Sequence, residues 1–168
     1  MIRAIEQVTP DIVLSANDAD APKWLENVAV VTDKYADVGG ISGIHSALIT
    51  GRDVLVAAWD MPFANGQLLS LIVETGLRER ADAVVPESRS PHGIEPFHAW
   101  YSARTLPVLE RFIADGGGSA RDFIDRLGKV HRIPISESRR FGDPDILFFS
   151  VNTADDLARA RAIAEAAE

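Results

Sequence analysis

At 168 residues, with 46% hydrophobic and 25% charged side chains, the chain is long enough to bury a core and reads as one globular domain. Its 25 Asp and Glu against 17 Lys and Arg leave a formal charge of −8, which argues against a nucleic-acid-binding surface, and the lack of cysteine excludes disulfides and thiolate metal sites. No apolar run approaches the roughly 20 residues of a membrane span, and the acidic start is no signal peptide, so a cytoplasmic protein without membrane contact is expected.

Taken in order, residues 2–8 have the character of a helix tail, and 11–15 and 27–31 read as strands. A glycine-rich turn then leads into a helix predicted over 43–50. Residues 53–58 form the most continuous apolar run, which predicts a strand at the centre of a parallel sheet. The spacing of Leu68, Leu71, Ile72 and Thr75 predicts a helix over 67–80. Strands follow at 83–86 and 94–101. Helices at 105–114 and 119–127 are parted by Gly116-Gly117-Gly118. Residues 130–133 alternate in character, as an edge strand would, and 146–149 read as the last strand. Thr153, with Asp156 three residues on, opens a final helix. The expected fold class is therefore α/β: three layers, with a mostly parallel sheet flanked by helices, in a single domain over 1–168. Such domains usually open on a strand and a nucleotide-binding turn. Neither is legible ahead of residue 11, so the sheet is expected to lack its first strand and phosphate-binding loop.

Chemistry is concentrated where strands end. Asp60, in Trp59-Asp60-Met61-Pro62-Phe63, follows the most apolar strand, and a carboxylate there can hold Mg²⁺ against a triphosphate. The alternative is a turn cap, and on spacing alone the two stand about even. Asn17 and Asp33 each follow a strand as well, so the three would line one edge of a parallel sheet. The turn Val38-Gly39-Gly40-Ile41-Ser42-Gly43 lets a ligand approach backbone and a helix N-terminus, although no Walker lysine follows it. Asn152 lies before the last helix, where spacing alone favours a supporting role for the cap. His92, Glu95 and His98 are spaced three apart, which on a strand alternates faces and argues against a zinc site.

These segments resemble the molybdenum cofactor guanylyltransferases. The family's Gly-Pro-Leu-Ala-Gly-Ile turn appears as Gly39-Gly40-Ile41-Ser42-Gly43-Ile44, and its Cys-Asp-Met-Pro-Phe box as Trp59-Asp60-Met61-Pro62-Phe63. Its Glu-Pro-x-x-Ala-x-Tyr strand appears as Glu95-Pro96-Phe97-His98-Ala99-Trp100-Tyr101, and its Asn-Val-Asn-Thr ending as Ser150-Val151-Asn152-Thr153. The matches keep order and spacing from about Asn17 to Leu157.

The resemblance implies Mg²⁺-dependent transfer of GMP from GTP to molybdopterin, with release of pyrophosphate. It makes Asp60 the catalytic metal ligand, puts Asn17, Asp33 and Gly43 around the nucleotide, and sets Glu95 and Asn152 toward the pterin. Molybdoenzyme maturation proteins would be partners. Met61 favours guanine over cytosine, with a cytidylyl-transferring relative as the rival. The family's N-terminal Leu-Ala-Gly-Gly-x-Ser-x-Arg-Met loop has no counterpart from Met1 onward. Either Met1 is an internal start of a longer protein or the chain is a non-catalytic binding relative; the well-formed remaining motifs favour the first. Two smaller departures are Trp59, expected to pack behind Asp60, and Ser150, which replaces an amide that would touch substrate.

Overall fold

The structure is a computed structural model that describes residues 1–35 and 38–166. A short helix α1 (Ile2–Glu6) leads to strands β1 (Val13–Ser15) and β2 (Ala29–Val31), then to helix α2 (Ile41–Leu48) and strand β3 (Val54–Ala57). Helix α3 (Gly66–Glu79), strands β4 (Ala83–Pro86) and β5 (His98–Tyr101), and helices α4 (Leu106–Ala114) and α5 (Ala120–Ile124) follow. Strand β6 (Val130–Ile133), two single-turn helices α6 (Ile135–Ser138) and α7 (Pro144–Leu147), and the terminal helix α8 (Ala154–Ala166) complete the order.

The strands form two sheets. β1 and β2 pair in parallel, and a four-stranded sheet runs β3-β5-β4-β6. β5 is antiparallel to both its neighbours and β4 is parallel to β6, so β3, β4 and β6 share one direction against β5. The mixed α/β class holds, with helices on both faces. Toward one face, Ile41, Ile44 and Leu48 of α2 pack with Leu109, Phe112 and Phe123 of α4 and α5 against Val85, Ala99 and Tyr101. Toward the other, Leu68, Leu69 and Ile72 of α3 pack against Val84, Trp100 and Ile133. Alternation along β5 sends Ala99 and Tyr101 to one cluster and Trp100 to the other, which is how a two-sided core arises from one strand.

The predicted elements need three corrections. Residues 53–58 do form a strand, but β3 pairs with β5 alone and stands at an edge. Its other side faces a groove, so its four residues are only half-buried, whereas β4 and β5 are buried throughout. Residues 146–149 are not a strand. Asp143 accepts a hydrogen bond from the Asp145 amide, and Pro144 occupies the first turn, so the segment enters as the helix α7. The strand predicted over 94–101 is confined to His98–Tyr101, with Ile94 making an isolated bridge to Glu87.

β6 lies at the sheet edge, as its alternation predicts. The capping box is also formed. The Asp156 amide donates to Thr153 Oγ1 at 3.1 Å, and the Thr153 amide donates back to Asp156 Oδ2 at 2.9 Å.

His98 is fully buried beside Phe148, and neither ring nitrogen has a hydrogen-bond partner. Burial therefore pushes its pKa down to about 4. The unfolded chain takes up this proton near pH 6.5 while the folded chain does not. The resulting contribution to stability is complete above about pH 6.5 and is lost as pH falls toward about 4, by roughly 3 kcal/mol in all. Chemical denaturation of His98→Leu is expected to give a shallower fall in stability across that interval than the parent chain. Parallel curves would contradict the assignment.

Candidate nucleotide site

A groove of about 830 Å³ separates the two sheets. β1 lines one wall with Val13, Leu14 and Ser15, and β3 lines the other with residues 54–57. Each of these strands is paired on one side only. Asp33, which follows β2, Gly43 of α2 and Asp60, which follows β3, border the same groove.

The parallel register of β1 and β2 brings the residues after them together. Asn17 Nδ2 donates to Asp33 Oδ2 at 3.1 Å, and the Asp33 amide donates to Asn17 Oδ1 at 2.9 Å. Asp33 Oδ1 accepts two further hydrogen bonds, from Ser15 Oγ at 2.9 Å and Ser46 Oγ at 3.1 Å. One carboxylate thus ties β1, β2 and α2 into a single corner. Ser15 and Ser46 escaped sequence reasoning, although Ser15, at a strand end two residues before Asn17, offered a signal.

The glycine turn is shaped by two different constraints. Gly39 has φ +70°, where a side chain is strained. A Cβ on Gly40 would lie 2.6 Å from the Phe97 ring, so that residue is required by packing. Gly43 is different: a Cβ there would meet nothing closer than Ser15 Oγ at 3.7 Å. That is an ordinary van der Waals contact, so packing does not require glycine at this position.

Asp60 stands on the turn after β3 and is clasped by the segment before α8. The Val151 amide donates to its carbonyl at 2.9 Å, and Ser150 Oγ donates to its Oδ2 at 2.5 Å. Asn152 Nδ2 donates to Ser150 Oγ at 3.0 Å, and the Asn152 amide donates to Asp156. Asn152 therefore reaches Asp60 through Ser150 and also supports the cap of α8. Trp59 does not pack behind Asp60, as the sequence suggested. It is 77% exposed, with its ring centroid 6.2 Å from that of Trp24. Met61 is the residue of this turn that is buried instead.

Glu95 is buried at 7% exposure and lies outside the groove lining. Burial raises its pKa, hydroxyls of Ser88 and Ser90 act against the rise, and the negative charge of Asp60 adds to it. Of the sequence-predicted residues, then, Asn17 and Asp33 meet directly, Asp33, Gly43 and Asp60 border one groove, Asn152 is linked to Asp60 through Ser150, and Glu95 feels the charge of Asp60. His92, exposed, and His98, buried, do not share an environment.

Within the groove Arg52 is the one cation among the described lining residues, and it is paired with Asp11 at 3.0 Å. Among the described residues no three His, Asp or Glu side chains are clustered so as to hold a metal. A single carboxylate such as Asp60 fits Mg²⁺ only where a bound molecule supplies further oxygen ligands. Also among the described residues, no helix is long and apolar enough to cross a membrane.

A mixed α/β domain whose polar residues gather beyond the strand ends, beside a carboxylate at the end of an apolar strand, has the layout of an α/β ligand-binding site. The profile of the MobA-like NTP transferase domain matches residues 1–131. The chain is 34% identical over 167 residues to the molybdenum cofactor guanylyltransferase of Desulfosudis oleivorans, covering 96% of this chain and 79% of that protein. It is 29% identical to a probable molybdenum cofactor guanylyltransferase of Methanosarcina mazei, over 94% of this chain and 74% of that one. The crystal structure of molybdopterin-guanine dinucleotide biosynthesis protein A from Archaeoglobus fulgidus superposes with a TM-score of 0.81 at 31% identity, covering 98% of this chain and 85% of that one. At 14% identity, a 4-diphosphocytidyl-2C-methyl-D-erythritol synthase from Anaerococcus prevotii shares the fold with a TM-score of 0.68. The chain belongs to the MobA-like NTP transferase family, among the nucleotidyltransferases of molybdenum cofactor guanylyltransferase type.

Proposed function

We propose that the chain transfers GMP from GTP to the terminal phosphate of molybdopterin, forming the guanine dinucleotide and pyrophosphate. The observation that carries this reading is the convergence of Asp33, Gly43 and Asp60 on one groove, in a chain whose relatives are guanylyltransferases. A phosphate oxygen of molybdopterin bonds to the α-phosphorus of GTP, and the bond from that phosphorus to the bridging oxygen breaks. The electron pair leaves with pyrophosphate. Because the nucleophile is already an anion, the protein's contribution is alignment and charge neutralisation rather than proton abstraction.

Asp60 is the residue that would hold Mg²⁺ and is the catalytic residue of the site; when bound, Mg²⁺ would supply Lewis-acid neutralisation of the phosphate charge. We assign Asn17, Asp33 and Gly43 to the nucleotide side, and Glu95 and Asn152 to the pterin side.

Pyrophosphate release is the test of nucleotide choice. With molybdopterin and Mg²⁺ present, release is expected from GTP and at a small fraction of that rate from CTP. Preferential use of CTP would overturn the guanine assignment and make the chain a cytidylyltransferase.

A further inference from the structure

We infer that Ser150 is a positioning residue for Asp60, and that Asn152 supports it by donating to the same hydroxyl oxygen. This rests on the reading of Asp60 as the metal-holding carboxylate. Ser150 Oγ lies 2.5 Å from Asp60 Oδ2 and 3.0 Å from Asn152 Nδ2. A serine hydroxyl has one proton to give and two lone pairs to receive with. An ionised carboxylate can only accept, so the Ser150 proton must point at Asp60. Asn152 must then present its amide N–H, not its carbonyl, to Ser150. The direction of the whole chain, Asn152 to Ser150 to Asp60, is fixed by the charge at its end.

The consequence is a carboxylate with its two oxygens assigned. Oδ2 is held by Ser150, and Oδ1, which accepts no hydrogen bond among the described residues, is assigned to a cation. The Val151 amide holds the Asp60 carbonyl at 2.9 Å, so the same three-residue segment fixes both the backbone and the side chain of Asp60. That segment is itself anchored, because the amides of Asn152 and Thr153 donate to Asp156 at 3.1 and 2.9 Å. Groups that orient a metal-binding carboxylate in this way usually matter to metal affinity about ten- to a hundredfold.

The test measures metal binding without turnover. Mn²⁺ is titrated into the chain in the presence of GTP, with molybdopterin left out, and bound Mn²⁺ is read by electron paramagnetic resonance. Ser150→Ala is expected to weaken Mn²⁺ binding about tenfold or more, and Ser150→Thr to restore most of it. Asp60→Asn is expected to abolish it. If Ser150→Ala binds Mn²⁺ like the parent chain while Asp60→Asn does not, the positioning role is overturned and the reading of Asp60 stands. The positioning role is equally overturned if Ser150→Ala lowers the melting temperature with metal affinity unchanged, since that is a structural role alone. If the parent chain binds no Mn²⁺ with GTP, both fall together.

Discussion

Replacing Asp60 by Asn is expected to lower guanylyl transfer about a thousandfold or more while leaving the fold intact. A metal-held phosphoryl site contributes several kcal/mol to the transition state, and each 1.4 kcal/mol is tenfold in rate. An amide keeps the shape of the side chain and can still accept from Ser150, and the Asp60 carbonyl keeps its bond to Val151. What it loses is the negative charge. The check is pyrophosphate release under saturating GTP and Mg²⁺, alongside a thermal melt. Activity within a few-fold of the parent would show that the metal sits elsewhere.

Asp33→Ala is expected to act on both stability and nucleotide binding. Three side-chain donors, Ser15 Oγ, Ser46 Oγ and Asn17 Nδ2, converge on this one carboxylate. Their site is only partly buried, so water replaces some of what is lost. The expected cost is about 2–3 kcal/mol, or a fall of roughly 5–10 °C in melting temperature for a chain of this size. Because the same carboxylate joins β1, β2 and α2, GTP affinity is expected to fall by at least about tenfold in step. Calorimetric titration with GTP below the melting transition separates the two effects. A destabilised variant that binds GTP normally would make Asp33 a corner post and nothing more.

How legible all this was in the sequence varied with the length and context of each signal. The helix α3 was plain, because Leu68, Ile72 and Thr75 stand at helical spacing within a helix of fourteen residues and all three are buried. The apolar run at residues 146–149 was too short for periodicity to decide. There the decisive information was Asp143-Pro144 just before it, which caps and opens the helix α7. The run at 53–58 was a strand as expected, but apolar character reports how a strand is buried only when neighbours cover both of its edges. With a groove on one side, β3 stays half-buried however apolar it is.

Asn17 and Asp33 could be placed together from sequence because parallel strands bring the residues after them to one edge. The contact between Ser150 and Asp60 spans ninety residues, and no local pattern encodes it. Trp59 likewise carried no indication of its direction. Its neighbour Met61 took the buried place, leaving the indole outside beside Trp24.

If this chain joins the α-phosphate of GTP to molybdopterin, the most direct measurement follows that phosphorus. GTP labelled at the α-phosphate is incubated with the protein, Mg²⁺ and molybdopterin, and the products are separated. Label is expected in the pterin dinucleotide, with one pyrophosphate released for each one formed. Label remaining in GTP, or appearing as free GMP with no pterin product, would contradict guanylyl transfer by this chain.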